Sequence, residues 1–141
     1  MPSPSRRAML ALPLALAALP AFANGIRVLS PAETLQRVGA GEIVLIDVRR
    51  PEEWAATGIA AGAVPIDMRD PAFGTKLDAA LGGDRSAPVA LICHSGVRSR
   101  VVAEAMHRAG FTDVYDVGEG MAGSVLGPGW LRSGLPVERP E

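Results

Sequence analysis

Pro88-Val89-Ala90-Leu91-Ile92-Cys93-His94-Ser95-Gly96-Val97-Arg98-Ser99 passes from an unbroken apolar run, through a short polar loop, into a helical pattern. An apolar run of this length, closed by turn-forming residues, reads as a strand buried on both faces. The helix is expected from Ser99, with Ser99 as its N-cap. Val102, Ala105, Met106 and Ala109 share one face, and Gly110 is the stop. Cys93, the chain's one cysteine, therefore stands where a strand ends and a helix is about to begin.

The same alternation extends upstream and downstream. Ile43-Val44-Leu45-Ile46-Asp47-Val48 is a second unbroken apolar strand, and Ile26-Arg27-Val28-Leu29, Ala63 to Ile66 and Asp113 to Val117 are shorter ones. Between them lie helical segments. Ser30-Pro31-Ala32-Glu33 combines an N-cap serine, a proline in the first turn and a glutamate three residues after the cap, and its helix runs to Gly39. Pro51 to Ala56 reads as a short helix ended by Gly58, and Pro71 to Leu81 as a weaker one interrupted by Gly74. Gly118 to Glu141, rich in Gly and Pro, reads as irregular. Strands alternating with helices predict an α/β fold, a parallel sheet of about five strands with helices on both faces. Sites in such sheets lie beyond the carboxyl ends of the strands, where both Asp47 and Cys93 fall.

The loop carries a definite chemistry. Consecutive residues curled around one point direct their N–H groups inward as an anion nest, and the helix that follows adds its positive end. A thiolate at the centre is stabilised there and becomes a usable nucleophile. The same cradle would hold a dianion or the outer sulfur of a persulfide. Gly96 permits a backbone conformation closed to other residues, and Arg98 can grip an oxyanion through two parallel hydrogen bonds. A buried structural cysteine is the alternative, but the six residues after Cys93 are mostly polar or small, which does not suit a core position. His94 is read as lending shape to an anion site. Arg49 is read as pairing with Asp47, and Asp47 as a support for the loop rather than a base. Trp54, Trp130 and Met106 are read as packing residues, and His107 and Arg108 as solvated.

Composition narrows the rest. The chain has 141 residues, 48% of them hydrophobic, and a formal net charge of −1. That suffices for one folded domain and offers no electrostatic case for nucleic acid. Residues 1–23 read as a cleaved export signal: Arg6-Arg7, an apolar run from Ala8 to Ala18, and Ala21-Phe22-Ala23 as a cleavage site. The run is too short for a comfortable membrane span, so no stable membrane anchor is expected after processing, an uncleaved anchor being the alternative. Ser5-Arg6-Arg7-Ala8-Met9-Leu10 fits a twin-arginine signal and also a general secretory one, and both routes stay open. Loss of Arg6 and Arg7 leaves 12 basic residues against 15 acidic, net −3. The expected location is periplasmic or otherwise exported, with residues 24–141 forming one domain. A single cysteine forms no internal disulfide there.

These residues resemble the rhodanese family of sulfurtransferases. Cys93-His94-Ser95-Gly96-Val97-Arg98-Ser99 is similar to that family's Cys-x-Ser-Gly-x-Arg-Ser loop, and Asp47-Val48-Arg49 with Glu53 to its Asp-Val-Arg-x-x-x-Glu segment. Gly58-Ile59-Ala60-Ala61-Gly62-Ala63, Val114-Tyr115-Asp116-Val117 and Gly134-Leu135-Pro136-Val137 extend the likeness. Four departures stand out. Ile59 replaces a histidine, Gly118-Glu119-Gly120 replaces a Gly-Gly pair, Ser124 replaces a tryptophan whose packing role Trp130 can assume, and His94 replaces an arginine.

The resemblance implies a Cys93 persulfide formed from a donor such as thiosulfate and discharged to a thiol or cyanide. The loop residues His94, Ser95, Gly96, Val97, Arg98 and Ser99 would bind substrate, Asp47 and Arg49 would support them, and no cofactor or metal would be needed. The implied partners are a small sulfur donor and a thiol acceptor, with a sulfur-accepting protein as a further acceptor. A carrier or docking module that hands its persulfide only to another protein is the second reading. Cysteine phosphatases and arsenate reductases set five residues between cysteine and arginine, whereas four lie between Cys93 and Arg98, a smaller nest. A thiol-redox role lacks a resolving cysteine.

Overall fold

A computed structural model describes residues 25–141. The export signal read at 1–23 lies outside the described residues. The elements in order are β1 (Arg27–Val28), α1 (Pro31–Gly39), β2 (Val44–Asp47), α2 (Pro51–Thr57), β3 (Ile59–Ala60), β4 (Val64–Pro65), α3 (Phe73–Leu81), β5 (Val89–Ile92), α4 (Val97–Arg108), β6 (Val114–Asp116), α5 (Gly129–Arg132) and β7 (Val137–Glu138). Five strands form one parallel sheet in the order β1-β6-β5-β2-β4. β5 is central, paired with β2 from Val44↔Val89 to Asp47↔Ile92 and with β6 from Val89↔Val114 to Leu91↔Asp116.

Successive side chains along a strand point to opposite faces, so the sheet builds two cores. Val44, Ile46, Val89, Leu91, Cys93 and Val114 meet Leu77 and Leu81 of α3 and Val102, Ala103 and Met106 of α4. On the other face Leu45, Ala90, Ile92, Tyr115 and Val117 meet Leu35 and Val38 of α1, Trp54 of α2 and Trp130 of α5. All four residues of β5 are fully buried, and each of its larger apolar side chains contributes roughly 1.5–3 kcal/mol. Helices thus cover both faces, which is why β2 and β5 read as continuous apolar runs.

The differences from the sequence reading have local causes. Ser30 caps α1 as expected, its side chain accepting from the Glu33 N–H. The α4 helix, however, begins at Val97 behind a left-handed Gly96, and Ser99 sits inside the first turn instead of capping it. That shift rotates the buried face to Ser99, Val102, Ala103 and Met106, leaving Ala105 and Ala109 exposed. The tail is mostly turns, as expected, with two short regular pieces in it. It forms α5, and it folds back so that β7 pairs antiparallel with β3. Trp130 is fully buried, and its indole N–H donates to Pro136 O at 2.9 Å. Glycine and proline content hid a segment that buries Met121 and Trp130 and is tied to the loop by backbone hydrogen bonds.

Candidate active site

Cys93 follows the last residue of the central strand, and its side chain is 1% exposed. The loop turns back over it. The Gly96 N–H donates to the sulfur at 3.2 Å, and the sulfhydryl donates to the Ser99 hydroxyl at 3.4 Å. Ser99 in turn donates to Gly96 O at 3.3 Å. Gly96 reaches this shape at φ +90°, and a Cβ there would run into the Gly118 carbonyl. Only glycine meets both demands. The floor under the loop is the segment after β6. Met121 N–H and Ala122 N–H donate to the carbonyls of Cys93 and His94, each at 2.8 Å. Gly120, at φ +67°, lies so close that a Cβ would strike the His94 carbonyl. His94, Ser95 and Val97 are exposed at the rim, whereas Ser99 is fully buried.

Arg98 has a protein partner that the sequence reading did not name. Its two terminal nitrogens donate to both oxygens of Glu53, at 2.7 and 2.6 Å. This forked ion pair ties the start of α4 to the first turn of α2. The Glu53 carboxylate also accepts from the Arg50 N–H at 2.9 Å, closing the α2 N-terminus. The Arg98 hydrogen bonds, reinforced by that N–H and opposed by burial, hold Glu53 down at about 2 against an ordinary 4.5. The Glu53 carboxylate raises Arg98 in return. Arg50, Glu52, Glu53 and Arg98 line a pocket of about 370 Å³ beside the loop. An apolar groove of about 410 Å³ between α3 and α4, lined by Phe73, Leu77 and Val101 among others, contains none of the loop residues.

Asp47 and Arg49 form a fully buried pair at the end of β2. The guanidinium donates to both Asp47 oxygens at 2.9–3.1 Å, to Thr57 Oγ1 at 3.1 Å and to Gly58 O at 3.0 Å. With the Arg49 N–H also bound to Asp47 at 3.0 Å, the pair is saturated with partners, as a buried charge requires. It fixes the turn that ends α2 and so sets where Glu53 presents itself to Arg98. Spacing in the sequence could not reveal the Glu53–Arg98 link, which spans 45 positions. Among the described residues no cluster of His, Cys, Asp or Glu is placed to hold a metal ion.

Residues 30–124 match the sequence model of the Rhodanese-like domain. The chain belongs to the rhodanese family. Among curated rhodanese relatives, it is 44% identical over 55 residues to the thiosulfate sulfurtransferase GlpE of Actinobacillus pleuropneumoniae, 39% of this chain and 45% of that protein. This match spans about half the length of that relative. It is 29% identical over 110 residues to the GlpE of Actinobacillus succinogenes, covering 78% of this chain and 88% of that one. Among solved structures, the polysulfide-sulfur transferase homodimer of Wolinella succinogenes shares the rhodanese fold at a TM-score of 0.65 and 26% identity, over 83% of this chain and 81% of that one. Rv0390 from M. tuberculosis aligns at 0.64 and 26%, over 80% and 97%.

Proposed function

We propose that this rhodanese-family chain is a sulfurtransferase that carries sulfane sulfur on Cys93, from a donor such as thiosulfate to a thiol or cyanide. The observation that carries the reading is the placement of the Cys93 sulfur, at the end of the central strand and at the mouth of α4, held by the Gly96 N–H at 3.2 Å. The Cys93 thiolate attacks the outer sulfur of thiosulfate. A new S–S bond forms, the donor's S–S bond breaks, and sulfite leaves with the electron pair. The persulfide's outer sulfur bears the negative charge, which suits N–H donors and a helix N-terminal end. An acceptor thiolate or cyanide then attacks that outer sulfur, and the electron pair of the broken bond returns to Cys93.

In this reading the loop from His94 to Ser99 binds the donor. Arg98 contributes chiefly by holding the loop to α2, and Asp47 with Arg49 holds α2 in place. The sequence similarity to thiosulfate sulfurtransferases supports the donor class. Export through residues 1–23 belongs to the same proposal and rests on the sequence pattern alone.

The test is intact mass after thiosulfate treatment, before and after cyanide. The expected result is a gain of about 32 Da on Cys93, the mass of one sulfur, that cyanide removes. No gain with thiosulfate, but a gain from a persulfidated protein, would move the reading to a carrier module. No gain from either would overturn it.

A further inference from the structure

Asp116 ends β6 next to β5, in register with Leu91, and is 3% exposed. Its neighbours Tyr115 and Val117 face the α1 side of the sheet, so alternation turns Asp116 toward α4. One carboxyl oxygen, Oδ1, has no hydrogen-bond partner among the described residues. A buried polar atom left this way is costly and asks for an explanation. Ser99, fully buried in the first turn of α4, is the side chain that draws the Asp116 carboxyl down, and its hydroxyl is 3.4 Å from the Cys93 sulfur. Asp116, Ser99 and Cys93 thus form a row from β6, through the first turn of α4, to the end of β5.

The surroundings leave Asp116 little else to act on. Leu91 on β5 and Val28 on β1 are its apolar neighbours in register, and a Cβ added at Gly118 would lie 3.8 Å from its Oδ2. The charged groups that reach it are Arg100 and Glu104, both on α4 and opposite in effect. They pair with each other at 2.9 Å. Burial is the main cause that pushes Asp116 up to about 6, with Ser99 pulling the other way.

Ser99 has one proton and three claimants: Gly96 O, the Asp116 carboxyl and the Cys93 sulfur. We propose that Asp116 is a positioning residue that, through Ser99, decides whether the anionic sulfur on Cys93 receives a hydrogen bond. Protonated, the carboxyl donates to Ser99 Oγ and frees the Ser99 proton for the thiolate or persulfide. Ionised, it claims that proton for itself. The charge on Asp116 thus acts on the sulfur through the Ser99 hydroxyl. This rests on Cys93 being the sulfur that reacts, and it names the group that tunes it.

The rate of Cys93 alkylation by iodoacetamide between pH 4.5 and 9 tests this without any sulfur transfer. In the wild-type protein the rate should rise over a broad, two-step profile. In Asp116→Asn, whose amide donates to Ser99 but never ionises, it should collapse to a single step and run about threefold to tenfold faster at pH 7, the worth of one hydrogen bond to the sulfur. In a Ser99→Ala background, Asp116→Asn should no longer change the profile. A single-step wild-type profile, or profiles that coincide in wild type and Asp116→Asn, would overturn the proposal, and the wild-type arm needs no variant to fold. Intact mass after thiosulfate is read on the same samples. Persulfide formation with coincident profiles would sink this inference and leave the sulfurtransferase reading standing. A changed profile without persulfide would do the reverse.

Discussion

At the scale of single residues the site depends on one sulfur and the glycine that folds over it. Cys93→Ser should abolish persulfide formation by mass while leaving the far-UV CD spectrum intact, because the hydroxyl fits the space but lacks thiolate chemistry. Gly96→Ala should be worse than its size suggests. It adds a methyl at φ +90° against the Gly118 carbonyl, strain of about 1–3 kcal/mol. The displaced loop should load sulfur about tenfold to hundredfold more slowly, read by denaturant unfolding and by the persulfide time course together. The positions of both residues were legible in the sequence, since an apolar run closed by a cysteine, with glycine three residues on and a helical pattern after it, marks the end of a strand and the turn into a helix. Ser99 was legible as important but not in its position. Whether a helix starts at residue 97 or 99 is a matter of one left-handed glycine, which no periodicity reports.

At the scale of elements the Arg98–Glu53 fork joins α4 to α2, and the saturated Asp47–Arg49 pair holds the far end of α2. Glu53→Gln should cost about 1–2 kcal/mol at pH 7, a half-buried forked pair discounted for solvent screening. The sign follows from the shift. Glu53 titrates near 2 instead of 4.5, so its contribution is full above 4.5 and is lost as pH falls through about 2. The gap between wild type and Glu53→Gln, measured by urea unfolding, should therefore close toward pH 2. A gap that stays constant would show that packing, and not charge, joins the helices. The sequence reading gave Arg98 to a bound oxyanion because guanidinium suits one. It could not see that a carboxylate forty-five positions away accepts from both terminal nitrogens.

At the scale of the whole molecule, the parallel sheet places two opposed titrations inside one fold. Asp116 sits near 6 instead of 3.8, so its stabilising protonated form is complete below 3.8 and the stability is lost as pH rises through about 6. Glu53 acts at the other end of the scale. Asp116→Asn should thus raise the unfolding free energy at pH 8 by about 2–3 kcal/mol, the size of a shift of this kind, with no gain at pH 3.5. Thermal melts at both values check it. The sequence by itself determined the strand–helix alternation, the two-faced burial of β2 and β5, the family resemblance and the place of Cys93 at the end of the central strand. Those follow from short-range rules, in which side-chain periodicity and turn chemistry act within a dozen residues. The tertiary structure alone decided the order of α5 and β7, the partner of Arg98, and the burial of Asp116 beside Ser99. Each of these is a meeting of side chains far apart in the chain. The free energy of such a contact depends on which groups the closed sheet excludes from water, and not on the residues next to them in sequence.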